Sequence, residues 1–367
     1  MTAAEKLRTA YAITPNAPFF KREFSLLRAT EKWIAEGHIK SRAELDALCK
    51  FDGYGRVILF NLGDCEAPFV PTFDEIVLED QGQHELVQDT SGRSVLCFKG
   101  RRDGFMPHYV DHPVKDQRTW EEKCLWRLDP ESKERHMIAE ADAIAAAKEA
   151  SDSSIVCQML IGAYMFLRSL MGPLEVMYMI HDNPELIHSC MEAWLKVCDR
   201  VTEVHQRHVV FDELYVSEDI CFNTGPLISP DSIREFLFPY YQELFARIRR
   251  RQRDNRHLYI HVDTDGHAES VIPLYQELGM DIMGPFEVAS GCDVVEIGKC
   301  YPNLVIYGGV DKRILAGTKD DIDRMAEYIF PAMFKRGGYI PTCDHEVPLE
   351  VPFENYLHFR GRVNEFA

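Results

Sequence analysis

The order of apolar runs along the chain predicts an α/β fold, a (β/α)8 barrel carrying an N-terminal helical and β-hairpin elaboration. Three observations predict it. From residue 155 onward, short β-favouring runs alternate with helical patterns to the end of the chain. Those strand runs break off into polar or acidic residues, as strands do when their C-terminal ends face a ligand crevice. No glycine-rich phosphate fingerprint follows any strand, which argues against a doubly wound dinucleotide fold.

Taken in order, residues 1 to about 50 predict three helices, at 3–11, 20–36 and 41–49, packed as a cap or arm. The apolar run Val57-Ile58-Leu59-Phe60 predicts the first barrel strand, ending in Asn61-Leu62-Gly63-Asp64-Cys65. Alternation between 75 and 99 predicts an antiparallel hairpin turning at Ser91-Gly92, inserted beside the main sheet. Residues 109–126 predict a loop and short helix, and Asp129-Pro130 starts a long Ala/Glu/Lys-rich helix over 132–150. Further strands are predicted at 155–161, 213–217, 258–262, 281–284, 304–307 and 338–341. Helices are predicted at 165–171, 184–209, 230–253, 268–278, 294–300 and 319–335. Seven strands are thereby placed; the eighth has no assignment. There is no fixed-period repeat, low-complexity segment or Ser/Gly linker. The chain 1–367 therefore reads as a single domain, with 1–130 as the elaboration including the first strand and 131–367 as the main barrel.

A formal net charge of -18 opposes nucleic acid or anionic lipid as a partner, since both require basic surface. No apolar run approaches the roughly 20 residues that span a bilayer, and the N-terminus lacks a signal-peptide layout, so a soluble cytoplasmic protein is expected. The eleven cysteines stand singly and read as reduced thiols, most of them small core residues. The basic run from Arg247 to Arg256 reads as the solvated end of a helix, where cations suit the dipole.

The candidate chemistry lies at the strand ends. Glu218 and Asp219 follow one strand and His261, Asp263 and Asp265 another; then come Glu287, Asp311 with Lys312, and Cys343, Asp344 and His345. Any one of these can be a helix cap or loop ion pair. Five strand ends rich in His, Cys and carboxylates form, together, a pocket able to hold Zn²⁺ through three protein ligands with a fourth position open. Tyr164, Phe166, Phe222 and Tyr339 lie near strand ends and suit either an aromatic wall or ordinary rim packing. Lys312 suits either a developing anion or a helix start.

Four segments carry a resemblance: Gly284 to Val295, Gly308 to Arg313, Asn223 to Pro230, and Gly337 to His345. They resemble the uroporphyrinogen decarboxylase superfamily over roughly residues 130–360, with a weaker match from Met106 to Pro130. The resemblance implies a (β/α)8 barrel and one of two chemistries: metal-free tetrapyrrole decarboxylation, or zinc-dependent methyl transfer involving a corrinoid on a separate protein. The decarboxylases place arginines after the first strand; the corresponding residues here, with Asn61 among them, contain none. The coenzyme M methyltransferases bind zinc through His-x-Cys and a distant Cys; here the pair reads His261-x-Asp263 and the distant thiol is Cys343. A carboxylate in place of a thiolate leaves a harder ion suited to an oxygen ligand.

The expectation is therefore a zinc-dependent methyltransferase, moving a methyl group from an O-methyl donor, in particular an aromatic methyl ether, to the Co(I) corrinoid (cobalamin) of a partner protein. Expected metal ligands are His261, Asp263, Glu287 and Cys343. Glu218, Asp265, Lys312 and His345 are the expected catalytic residues, and Asn61, Tyr164, Phe222 and Tyr339 the expected substrate contacts. Its partners are the corrinoid protein and a small-molecule donor, and a homodimer is compatible with the sequence. A decarboxylase-like lyase, or a non-catalytic corrinoid or tetrapyrrole binder, are the alternatives.

Overall fold

The computed structural model describes residues 1–100, 107–151 and 154–367; Met106, where the weaker match begins, lies outside them. Thirteen strands occur in the described residues: β1 (Arg56–Leu62), β2 (Ile76–Gln81), β3 (His84–Gln88), β4 (Ser94–Phe98), β5 (His108–Asp111), β6 (Ile155–Ile161), β7 (Glu213–Ser217), β8 (Cys221–Phe222), β9 (Gly225–Pro226), β10 (Tyr259–Asp263), β11 (Ile282–Gly284), β12 (Val305–Tyr307) and β13 (Tyr339–Ile340). Seven of them form one parallel sheet in the order β1-β6-β7-β10-β11-β12-β13. Each crossover carries helix, which is what parallel pairing demands.

Strand residues alternate between two cores. Val57, Leu59, Val156, Leu160, Leu214, Val216, Ile260 and Val262 pack outward with helix residues such as Trp194, Val201, Tyr241 and Ile248. Arg56, Ile58 and Phe60 of β1, Cys157 and Met159 of β6, Tyr215 and Ser217 of β7, His261 and Asp263 of β10 and Tyr307 of β12 instead line one interior cavity. The first helix, Ala3–Tyr11, starts at a Thr2–Glu5 capping box and packs Leu7, Ala10 and Tyr11 under the strand starts with Ile155, Ile282 and Val305. No helix among the described residues is long and apolar enough to cross a membrane.

Three expectations are corrected. Residues 20–26 are irregular, with a bend at Phe24, rather than helical; the helix begins at Leu27 and ends at Ala35. Tertiary bonds outweigh local propensity there. Lys21 exchanges bonds with Asp52, its amide donating to the Asp52 carboxylate at 2.8 Å and its carbonyl accepting from the Asp52 amide at 2.9 Å. On the other flank the Cys343 amide donates to Glu23 Oε1 at 2.7 Å and the Val347 amide to the Ser25 carbonyl at 3.1 Å. Among the described residues β1 and β13 end the strand order of this sheet, and no eighth strand joins it.

The inserted sheet has four antiparallel strands, β2-β3-β4-β5, rather than one hairpin. The turn at Ser91-Gly92 is present, but a second occurs at Gly82, where φ of 80° and an Asp80 bond to the Gly82 amide make a tight reversal. Finally, two long helices are interrupted where Pro239 and Pro273 reset the backbone. They give Pro230–Phe236 followed by Phe238–Arg251, and a 3-10 turn at Ala268–Val271 followed by Ile272–Glu277.

Candidate active site

The interior cavity measures about 500 Å³ and runs from the strand starts to the strand ends. Its floor is set by β7. Glu213, fully buried, accepts a bond from Tyr11 Oη at 2.7 Å, pairs with Arg56 at 3.1 Å and lies 2.9 Å from His261 Nδ1. Arg56 also bonds the Tyr11 hydroxyl. Burial opposes the Glu213 charge, but Arg56, His261 and Tyr11 together hold its carboxyl down to about 2. An ionised Glu213 only accepts, so His261 must carry its proton on Nδ1 and present the Nε2 lone pair to the cavity. That Nε2 is buried and has no hydrogen-bond partner among the described residues. Burial outweighs the Glu213 carboxylate and lowers the His261 pKa, which keeps the ring neutral.

The middle of the cavity is aromatic and apolar, with Phe24, Ile58, Phe60, Met159, Tyr215 and Tyr307 on its walls. Phe60, 61% exposed, owes that exposure to the cavity it faces. Tyr215 Oη donates to Asp263 Oδ2 at 2.5 Å. Burial pushes the Asp263 carboxyl well above the carboxylate range, reinforced by Asp265, Asp64 and Asp219 against that one hydrogen bond. At the rim Asp265 is raised to about 6 by burial, with Asp219 and Glu287 adding to it and His345, 3.5 Å away, opposing. Asp64, Cys65, Asp219 and His345 complete the rim. Four aspartates thus line the upper cavity, and the positively charged Arg168 neutralises only Asp219.

Of the expected metal ligands, His261 and Asp263 share this cavity; Glu287 and Cys343 do not line it. Glu287 accepts from the Gly266 amide at 3.0 Å and from Lys312 Nζ at 3.1 Å, which employs Lys312 as well. The Cys343 side chain is fully buried with Asp344 Oδ1 3.9 Å from its sulfur, and burial pushes its thiol well up. Among the described residues no three His, Cys, Asp or Glu side chains converge as a metal group. The four expected zinc ligands therefore do not fit a single ion as they stand.

Of the expected catalytic residues, Asp265 and His345 reach the cavity. Glu218 does not: it is sealed in a packed network, bonded by the Tyr241 and Tyr275 hydroxyls, the latter at 2.7 Å. Of the expected substrate contacts, none lines it. Asn61 follows inward Phe60 on β1, so it faces outward, bonding Asp142 at 3.0 Å and His205 at 3.1 Å. Tyr164 is buried under the helices, Phe222 is exposed on β8, and Tyr339 donates to the Gly308 carbonyl at 2.9 Å.

Arg22, Arg56, Glu213, Tyr215 and Tyr307 line or support the cavity without having been anticipated. Tyr215 had a signal: it is register partner to His261 in the parallel β7–β10 pair, so both side chains leave the same face. Arg22 had none, because its segment read as helix.

The profile of the uroporphyrinogen decarboxylase (URO-D) family matches residues 105–366. No curated protein matches the chain by sequence. Among solved structures, a methyltransferase from Methanosarcina mazei superposes with a TM-score of 0.62 at 13% identity, covering 100% of this chain and 99% of that one. A putative vitamin-B12 independent methionine synthase from Listeria monocytogenes gives a TM-score of 0.34 at 12% identity, over 62% of this chain and 68% of that one. A xylanase B from Clostridium stercorarium gives 0.33 at 11%, over 56% and 71%. The first of these likenesses establishes a shared fold; the other two fall below the level at which a fold is argued.

Proposed function

Because the chain belongs to the uroporphyrinogen decarboxylase family, we propose that it is an enzyme of the family's methyl-transfer branch. In this reading it moves a methyl group from an O-methyl donor, such as an aromatic methyl ether, to the corrinoid of a partner protein. One observation carries the reading: an aromatic cavity of about 500 Å³ whose upper wall and rim hold four aspartates. A tetrapyrrole bearing many carboxylates would meet like charge at that rim, which disfavours the lyase alternative. A small neutral or singly charged ether fits the volume and the aromatic walls.

The partner's corrinoid supplies the nucleophile that takes the methyl carbon. The chain's own part is to hold the ether and assist the departing oxygen. As the C–O bond breaks, its electron pair stays on oxygen, and an alkoxide or phenolate leaves poorly unless protonated. Asp263 is placed for that. Its carboxyl lines the cavity, is oriented by Tyr215, and has its protonated form favoured by burial, so it can give its proton to the oxygen. Phe24, Phe60 and Met159 give the ether apolar walls to lie against. The open rim, formed by Asp64, Cys65, Asp219, Asp265 and His345, is where the partner protein would dock, since the methyl group must be reached directly.

The zinc implied by the sequence resemblance would find only His261, oriented by Glu213, and Asp263 of its expected ligands at this cavity, and that pair does not fit it. Since Glu287 and Cys343 do not line that cavity, no step here runs through a metal. A cytoplasmic location and a homodimer remain part of the proposal. The test is a panel of aryl methyl ethers incubated with the chain, alone and with a reduced corrinoid protein, with the demethylated product measured by chromatography. Product formed only when both proteins are present supports the reading; product from the chain alone, or from neither combination across the panel, counts against it.

A further inference from the structure

We propose that the floor of the cavity is a carboxylate subsite, so that the donor is an anionic molecule seated acid group down with its methyl-bearing end at the rim. Arg22 Nη1, Arg56 Nε and Tyr307 Oη are all buried, all belong to side chains lining this one cavity, and none has a hydrogen-bond partner among the described residues. Buried donors normally find acceptors, and three without one, on side chains that line a single cavity, suit an acceptor-only group. Arg56 is 8% exposed and Tyr307 4%, so this is a built floor and not a surface patch. The Arg22 guanidinium lies 5.5 Å from the centre of the Tyr307 ring, so the two side chains are packed together.

Charge points the same way. Arg22 and Arg56 bring two positive charges to the floor and Glu213 one negative, leaving a single positive excess; Glu213 pairs with Arg56, and no ion pair of Arg22 occurs among the described residues. One carboxylate balances that excess, whereas a polyanion would not be balanced and would also meet the aspartates above. Arg22 is held in place through its neighbour. Glu23 is anchored, accepting from the Cys343 amide at 2.7 Å and from Tyr356 Oη at 2.9 Å. His261 Nε2 adds an acceptor beside the donors, suited to a hydroxyl of the same molecule.

The arginines lie on the N-terminal segment and the first strand, outside the residues that the family profile matches. Identifying the anion as the methyl donor rests on the methyl-transfer reading; the anion subsite does not.

The test is isothermal titration calorimetry with 4-methoxybenzoate and its uncharged methyl ester, using the full chain, Arg22→Gln and Arg22→Lys. The acid should bind at least about tenfold more tightly than the ester, as a charge-assisted pair provides. Arg22→Gln should lose that preference while keeping its affinity for the ester, and Arg22→Lys should recover part of it. Equal affinities in the parent, or a preference unchanged in Arg22→Gln, overturn the subsite. If Arg22→Gln is unfolded by circular dichroism, the parent's acid-to-ester ratio decides alone. Preference for the acid without methyl transfer would refute the enzymatic reading and leave the subsite standing. Equal transfer from acid and ester would do the reverse.

Discussion

Glu213→Gln removes the one negative charge beneath the cavity while keeping the shape of the side chain. Two routes give its cost. From titration, a carboxyl held at about 2 instead of its usual 4.5 stabilises the fold by about 3 kcal/mol at neutral pH. From contact, removing one partner of a buried ion pair costs about 3–5 kcal/mol, because Arg56 is left charged and uncompensated. The two agree, so a loss of about 3–4 kcal/mol is expected from urea unfolding at pH 7, with Arg56→Met similar and the double variant losing much less than the sum. The pH dependence follows from the direction of the shift. A depressed carboxyl contributes fully above its unfolded value and loses that contribution as pH falls from about 4.5 to about 2; Glu213→Gln should flatten the curve in that window. A loss under about 1 kcal/mol, with an unchanged acid limb, would refute the picture of a buried, ionised Glu213 orienting His261.

His205 should produce a separate limb. It is buried between Gln158 and Asn61, and burial with His208 lowers it to about 4, so the unfolded chain binds a proton first. Stability should fall by about 3 kcal/mol as pH drops from 6.5 towards 4, and His205→Gln should remove that slope in unfolding measured at fixed pH. Glu218→Gln should lower stability by about 1–3 kcal/mol through the Tyr241 and Tyr275 bonds yet leave donor affinity by calorimetry unaltered; a changed affinity would return Glu218 to the site. Elemental analysis of the purified chain should find zinc well below one per chain, since only His261 and Asp263 of the expected ligands face the cavity. One tightly held zinc, lost on Cys343→Ser, would mean that Cys343 turns inward.

The barrel was legible because parallel strands buried on both faces leave apolar runs that helical patterns punctuate, and β6, β7 and β10 fall within a residue or so of their expected limits. Of the residues named at strand ends, His261, Asp263, Asp265 and His345 share the cavity. Glu287, Lys312 and Cys343 stand outside it, their direction set by loop bonds to Gly266, Glu287 and Asp344 that sequence does not reveal. Asn61 was misplaced by parity alone: one residue along β1 reverses the face. Arg22 was invisible because residues 20–26 are held out of a helix by bonds to Asp52, Cys343 and Val347, all distant in sequence.

The central claim is that methyl transfer from an ether is assisted by the Asp263 carboxyl. It is tested most directly by single-turnover absorbance of the partner's Co(I) corrinoid, mixed with this chain and aryl methyl ethers of graded phenol acidity. The Co(I) band should decay with every competent donor, and Asp263→Asn should slow the decay by about 10²–10⁴-fold for the poorest leaving groups and far less for the best. Decay that is absent with all donors, or equally fast in the parent and Asp263→Asn at every leaving-group pKa, would contradict that claim.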